Sequence, residues 1–271
     1  MDAKKALEEA GGDFEKAVDI LRTKGLSAAA KKATRVAAEG IITSALSNGI
    51  GVIAEVNSET DFVAKNEEFQ KFAKGIAELA AAQNPPDVAA LSQLAINGEN
   101  VEAKRQSLVQ KIGENIAIRR FARYQTAGKL AIYLHGARIG VMVDYTGGDE
   151  QLGKDLAMHV AAANPLYLSR EAVPADALAR ERAVCEAQAK ESGKPAAVIG
   201  KIVDGKIEKF YGDTCLMDQV YIKDPAGKLK IKDLVKNSGG AVINRFVRYQ
   251  LGEGIEKKKE NFADEVAAQL K

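Results

Sequence analysis

Two residues of very different chemistry stand side by side in this sequence, the carboxylate of Asp61 and the aromatic ring of Phe62. They belong to Thr60-Asp61-Phe62-Val63, where an apolar, strand-like stretch gives way to a helical pattern that begins near Glu67. A loop that joins a strand to a helix can hold such groups rigidly at a surface, which favours an interaction role. A local interpretation also fits. Ser58 and Asp61 match the S-x-x-D pattern of a helix start, and Phe62 would then pack onto the following helix.

Other residues that commonly do chemistry are few, namely two histidines, His135 and His159, and two cysteines, Cys185 and Cys215. Neither histidine has neighbouring ligands at zinc spacing, and the cysteines lack metal, redox or nucleophile spacing. Phosphate-binding glycine motifs and the G-x-S-x-G elbow are also missing from the sequence. His159 lies on an apolar helix face and is predicted to be a core histidine, whereas His135 lies in a turn that suits an exposed interaction role. We therefore expect no cofactor or metal site, and an interaction protein rather than an enzyme.

Composition sets the broad class. The chain has 271 residues, 46% hydrophobic and 28% charged, which is ordinary for a soluble globular protein of one large or two modest domains. No apolar run has the length of a membrane span, and no signal peptide opens the chain. The cysteine usage suits a reducing cytosol, so a cytoplasmic location is expected.

The formal net charge is only +2, which does not indicate a dedicated nucleic-acid binder, so no direct nucleic-acid contact is expected. An RNA-associated or scaffold protein that binds through local basic faces remains the alternative. Steep salt dependence of RNA binding would support it. The basic residues available for such faces are Lys31, Lys32, Arg35, Arg119, Arg120 and Arg123.

The elements that must position these residues form two similar units. The periodicity from Ile41 indicates a hairpin around Asn48-Gly49, followed by helices and a strand candidate at 116–124. The second half repeats this order, with a hairpin around His135-Gly136, a helix and a strand candidate at 241–249. Both final strands contain Arg-Phe-x-Arg-Tyr. We predict two related α+β subdomains, each a small antiparallel sheet covered by helices.

Helical segments flank and interrupt these units. Two short helices around Gly11-Gly12-Asp13 bury too little surface to form a core alone. Two longer ones that meet at Gly193-Lys194-Pro195 predict an antiparallel hairpin, either a self-contained projection or a partner contact. The predicted fold class is α+β, and the predicted domains are a helical module at 1–35, core subdomain N at 36–127, core subdomain C at 128–167 and 219–252, the helical hairpin at 168–218, and a C-terminal helix at 253–271.

Several stretches, in order along nearly the whole chain, carry a resemblance to a known family. Among them are Asn57-Ser58-Glu59-Thr60-Asp61-Phe62-Val63-Ala64, Lys111-Ile112-Gly113-Glu114-Asn115-Ile116, His135-Gly136-Ala137-Arg138, Ser192-Gly193-Lys194-Pro195 and Gly252-Glu253-Gly254-Ile255-Glu256-Lys257. On these residues the sequence resembles bacterial elongation factor Ts. The resemblance implies a guanine-nucleotide exchange factor for the translational GTPase elongation factor Tu, in its GDP-bound and nucleotide-free forms.

The resemblance also implies an arrangement of modules and a site. The N-terminal module is expected to be ubiquitin-associated-like, and the 168–218 hairpin to serve as a homodimer contact. One departure is that the family carries about one further helix before the residues that match Met1 onwards. We therefore expect the N-terminal module to lack its first helix and to bind the GTPase more weakly. The expected partner-binding residues, which would act near the magnesium site of the GTPase, are Thr60, Asp61, Phe62, Val63, Ile112, Gly113 and His135.

Overall fold

Two three-stranded antiparallel sheets lie at the centre of the computed structural model, which describes residues 2–191 and 195–256. The strands, in chain order, are β1 (Glu39–Ser47), β2 (Ile50–Ser58), β3 (Ala95–Ile96), β4 (Glu99–Asn100), β5 (Ala117–Gln125), β6 (Lys129–His135), β7 (Ile139–Thr146) and β8 (Val242–Gln250). The sheets have the orders β1-β2-β5 and β6-β7-β8, while β3 and β4 form a separate short hairpin.

Helices cover these sheets and form the projections. They are α1 (Asp2–Glu9), α2 (Phe14–Lys32), α3 (Asp61–Ala64), α4 (Glu67–Gln83), α5 (Val88–Gln93), α6 (Val101–Ile112), α7 (Glu150–Ala163), α8 (Ala175–Glu191), α9 (Ala196–Thr214) and α10 (Ile231–Asn237). Short 3-10 turns at Arg170–Ala172 and Leu216–Asp218 precede α8 and follow α9, and Arg170 donates to Asp218 at 2.9 Å between them.

The predicted α+β class and internal repeat are confirmed. In each sheet the central strand pairs with a preceding hairpin partner and a late third strand. Each sheet also has an irregularity at the same place, between Glu55 and Val56 in one and between Asp144 and Tyr145 in the other. A bulge re-aims the side chain beside it. The residue at the bulge is acidic in both units, Glu55 in one and Asp144 in the other.

Each sheet buries one face under a helix. In the N unit, α4 places Phe69, Phe72 and Ile76 in a core with the strands, at the spacing of a single helical stripe. In the C unit, Leu156 and Val160 of α7 do the same. These two cores fix the strand ends from which the candidate site projects.

The two sheets approach each other closely at a pair of matching glycines. A Cβ on Gly51 would lie 2.6 Å from Sδ of Met142, and one on Gly140 would overlap Ile42. Each glycine pairs with the tyrosine of an Arg-Phe-x-Arg-Tyr strand, Gly51 with Tyr124 and Gly140 with Tyr249. Side chains at these two positions would push the units apart.

Some elements differ from the sequence prediction. Helix α5, the β3–β4 hairpin and α10 were not predicted, because they are short and their apolar residues do not repeat at clear helix or strand spacing. Helix α2 runs on to Lys32 and is therefore longer than the short helix that was predicted after Asp13. Gly193 and Lys194 of the predicted turn, and nearly all of the predicted C-terminal helix, lie outside the described residues. Within the described part of the chain, no helix combines the length and apolar character needed to cross a membrane.

Candidate functional site

Phe62 stands out on the surface of the N unit. It lies on α3, a single turn between the end of β2 and the start of α4, and it is 77% exposed. The local interpretation, in which Phe62 packs onto the following helix, is wrong. Val63 takes the inward position instead and is 6% exposed in the N core. Asn66 caps α4 by accepting from two backbone N–H groups of its first turn, so α3 and α4 are separate helices.

The residue before α3 also differs from the S-x-x-D interpretation. Thr60 is the N-cap residue, with extended backbone, and makes no side-chain cap. Ser58 is buried, and its hydroxyl donates to the Thr60 carbonyl at 2.9 Å. Ser58 therefore stabilises the turn that leads into α3 rather than capping the helix.

Charge surrounds the exposed ring. The Asp61 side chain is 54% exposed, and its Oδ2 lies 3.8 Å from Nζ of Lys65. That ammonium also lies 5.8 Å from the centroid of the Phe62 ring. Exposed ion pairs of this kind contribute little to stability. Asp61 and Lys65 can therefore exchange partners at low cost when another molecule binds.

The turn after α6 is joined to this loop by hydrogen bonds. Helix α6 ends at Ile112, and Gly113 follows as its left-handed C-cap with φ 90°, a conformation that glycine adopts without strain. Glu114 accepts from both the backbone N–H and the hydroxyl of Thr60, at 2.9 and 2.6 Å. Ile112 is half-buried against the N core. Thr60, Ile112 and Gly113 therefore belong to one rigid surface.

His135 approaches the same surface from the C unit. Its ring is exposed, and Nδ1 lies 3.1 Å from the Tyr133 hydroxyl. The turn that follows is held in place because the Ala137 carbonyl accepts from Ile42 N–H at 2.8 Å. His135 and Asp61 line one surface depression of about 450 Å³, together with Lys65 and Arg138.

Of the predicted residues, Asp61, Phe62 and His135 offer accessible side chains. Thr60 and Gly113 act through backbone geometry and hydrogen bonds, and Val63 acts as an anchor. Sequence reasoning missed Glu114 and Arg138 as site-forming residues, although both lie within the motifs that it used. Their partners are far away in sequence, which is why no local pattern reveals them.

The arginines of the alternative interpretation have partners within the protein. Arg119 and Arg120 donate to the buried carboxylate of Glu55 at 2.9 and 2.7 Å. Arg123 donates to the Ala81 carbonyl at 3.1 Å. Arg35 lies 3.6 Å from a Glu59 carboxylate oxygen. These interactions argue against a continuous basic face made from those arginines.

Groups suited to covalent or metal chemistry are buried or dispersed. Burial raises the pKa of both thiols, Cys185 and Cys215. His159 is buried, as predicted, between Gln219 and the backbone N–H of Ile222. Within residues 2–191 and 195–256, no group of three His, Cys, Asp or Glu side chains is placed to hold a metal ion. The side chains that this site exposes are the Phe62 ring, the Asp61 carboxylate, the His135 imidazole and the basic groups of Lys65 and Arg138.

Comparison with known proteins adds the family context. A family model described as elongation factor TS matches residues 59–253. The chain is 53% identical over 270 residues to elongation factor Ts of Burkholderia multivorans (strain ATCC 17616 / 249), covering all of this chain and 91% of that protein. It is 52% identical, with the same coverage, to elongation factor Ts of Paraburkholderia xenovorans (strain LB400).

Proposed function

Because this chain belongs to the elongation factor Ts family of translation elongation factors, we propose that it accelerates the release of GDP from the GTPase elongation factor Tu. The observation that supports this most is the exposed Phe62 beside Asp61 on a rigidly held turn. Leaving a phenylalanine in water forgoes about 1.5–3 kcal/mol of burial free energy. That free energy is recovered when a partner buries the ring.

Exchange follows from a difference in affinity. A factor that binds nucleotide-free GTPase more tightly than nucleotide-bound GTPase must, by linkage, weaken nucleotide binding by the same factor. It therefore needs contacts that form only when the nucleotide region of the GTPase is opened. No bond in the nucleotide or the factor is made or broken, and the factor acts by binding.

Each site residue has a distinct part in this proposal. Phe62 inserts between packed elements of the GTPase that have two arrangements, and stabilises the open one. Asp61 competes for groups that order the magnesium and phosphate region, where the metal holds the phosphate oxygens. His135, Ile112 and Gly113 flank the insertion and contact the displaced elements.

The test is the release of a fluorescent GDP analogue from elongation factor Tu with the variants Phe62→Ala and Asp61→Asn. We expect each to lower stimulated release by at least about tenfold, the equivalent of one lost contact of 1.4 kcal/mol. Leu46→Ala is the control, because Leu46 is also exposed, at 53%, but lies near the opposite end of β1 from the site. Wild-type stimulation by both site variants would refute the proposal.

A homodimer contact through the α8–α9 hairpin is also proposed. The hairpin has its own small core, which includes Cys185, Val203 and Ile207. Val184 and Val198 remain 46% and 42% exposed, so further apolar surface is available for a second copy. Light scattering of the wild type and of Val184→Glu/Val198→Glu tests this, and equal masses for both at every concentration would contradict it.

A further inference from the structure

Glu114 lies outside the residues assigned to partner contact, yet it holds the turn that presents Phe62. Its Oε2 accepts a hydrogen bond from the Thr60 backbone N–H at 2.9 Å, and its Oε1 accepts one from the Thr60 hydroxyl at 2.6 Å. Hydrogen bonds to an ionised carboxylate are about twice as strong as neutral ones. Because Thr60 directly precedes α3, both bonds act at the base of the Asp61–Phe62 turn.

A reciprocal contact lies beside this pair. The backbone N–H of Asn115 donates to Oε1 of Glu59 at 2.5 Å. Asn115 is itself buried, and its side-chain amide donates to the Arg35 carbonyl at 2.8 Å. Two consecutive residues of one loop thus bind two consecutive residues of the other, across sequence separations of 54 and 56. We call these three Glu114–Thr60 and Glu59–Asn115 bonds the loop clamp.

Other contacts hold parts of the turn. Helix α3 has four residues and no side-chain cap at its N-terminus. Val63 anchors it in the core, with the partly buried Ala64 packed beside it, and the Ser58 hydroxyl and Gln70 Nε2 donate to the carbonyls of Thr60 and Ala64, each at 2.9 Å. The bonds from Thr60 to Glu114 add a tie to the loop after α6, and they fix the backbone on the other side of Phe62 from Val63.

We propose that Glu114 is a positioning residue for nucleotide exchange, which holds Phe62 and Asp61 in the orientation needed for insertion. This inference rests on the proposed exchange function. A turn that is already ordered avoids the loss of conformational entropy on binding, which is the benefit of preorganisation. Among the proposed contacts, His135 lies on the C unit and does not depend on the loop clamp. Loss of the clamp should therefore lower the maximal stimulated rate more than it weakens binding.

The experiment uses the full chain and elongation factor Tu loaded with a fluorescent GDP analogue. The release rate is measured against factor concentration for Glu114→Ala, Glu114→Gln, Thr60→Val and Thr60→Ser. We expect Glu114→Ala to lower the maximal rate roughly tenfold, and Thr60→Val, which keeps the backbone N–H bond, to lower it less, while the half-saturating concentration changes less than about threefold. Thr60→Ser keeps both bonds and should retain nearly the wild-type rate. Glu114→Gln should be intermediate, because an amide has only one accepting oxygen.

The matched control is Glu102→Gln on α6, the helix that precedes Glu114. Glu102 accepts from Arg105 and Gln106, away from the exposed turn, so its loss should leave the exchange rate unchanged. If the two Thr60 variants unfold at the same temperature, a difference between their exchange rates reflects the position of the turn rather than misfolding. Wild-type maximal rates for Glu114→Ala and Thr60→Val would overturn the inference.

A double-variant cycle tests whether Glu114 acts through Phe62. If it does, adding Phe62→Ala to Glu114→Ala lowers the rate little further, because the ring was already misplaced. If the rate decreases caused by the two single variants multiply in the double variant, Glu114 and Phe62 act independently and the inference is overturned. If Phe62→Ala lowers the release rate and Glu114→Ala does not, the positioning role of Glu114 is refuted but the insertion mechanism is not. If Phe62→Ala stimulates release at the wild-type rate, both the insertion mechanism and the positioning role of Glu114 are refuted.

Discussion

The guanidinium of Arg120 stacks on the ring of Tyr249, with its central carbon 4.1 Å from the ring centroid. The same contact recurs with the roles of the units exchanged, because Arg245 stacks on Tyr124 at 4.0 Å. Each arginine is the first, and each tyrosine the last, residue of an Arg-Phe-x-Arg-Tyr segment. Each of these arginines also pairs with the acidic residue at the bulge of its own sheet. Each copy of the repeat therefore contributes one arginine and one tyrosine to the contacts between the two units.

We predict that Arg120→Ala and Arg245→Ala each lower the free energy of unfolding by about 1–3 kcal/mol, since each loses a stacked ring and an ion pair with a buried carboxylate. The lysine variants keep the charge but lose the planar group, so they should recover less than half of the loss. Urea unfolding followed by circular dichroism measures this. Full recovery by lysine would show that stacking contributes nothing.

The buried carboxylate of Glu55 should make stability depend on acidity. Burial alone raises its pKa, but hydrogen bonds from Gly252 N–H, Arg119, Arg120 and Asn57 outweigh burial and hold the pKa below its ordinary 4.5. The folded state therefore binds this proton less readily than the unfolded chain does. The stabilisation is present above pH 4.5 and is lost as the pH falls through the lower folded value.

Glu55→Gln tests this dependence. We expect a loss of roughly 3 kcal/mol at pH 7, because two arginines lose their charged partner. The difference between wild type and variant should narrow as the pH falls below 4.5. Urea unfolding at a series of pH values provides the measurement. A difference that stays constant down to pH 2.5 would contradict the assignment.

The glycines between the sheets should not tolerate alanine equally. A methyl group at Gly51 meets the flexible Met142 side chain, whereas one at Gly140 meets Ile42, a stiff β-branched residue on a strand. We expect a loss of about 1–3 kcal/mol at Gly51 and a greater loss at Gly140. Gly200→Ala in α9 is the control, since no atom lies within 4 Å of the added Cβ. It should stabilise the protein by about 0.5–1 kcal/mol, as measured by urea unfolding, and a stabilising Gly140→Ala would refute the close-approach argument.

The buried His159 should oppose folding in mild acid. Its Nδ1 accepts from Ile222 N–H, so the hydrogen lies on Nε2, which donates to Gln219. Burial lowers the pKa of His159 below 6.5, despite the opposing effect of the Gln219 bond. The folded state therefore resists protonation, and stability falls as the pH drops below 6.5 towards the lower folded value.

His159→Gln should have a flatter stability profile over this pH range, measured by urea unfolding. His135→Gln is the control and should keep the wild-type slope, because the bonds of His159 stay intact. A His159→Gln profile with the wild-type slope would contradict the prediction.

The sequence alone determined the main strands and covering helices and their repetition. Asn48-Gly49 and His135-Gly136 mark hairpins, the apolar spacing in α4 and α7 marks their buried faces, and Arg-Phe-x-Arg-Tyr marks the matching third strands. These signals are local, since they depend on residues within one turn or one strand of each other. The motifs also placed Asp61, Phe62 and His135 among the candidate residues.

Tertiary structure decided which way Phe62 points and what holds it. A separate cap at Asn66 and the inward position of Val63 turn the ring outwards. Glu114 reaches Thr60 from 54 residues away, and no periodicity encodes a bond over that distance. Burial also decided that Arg119 and Arg120 are ion-pair partners of Glu55 rather than a basic surface, because a charge is available to a partner only where the fold leaves it exposed.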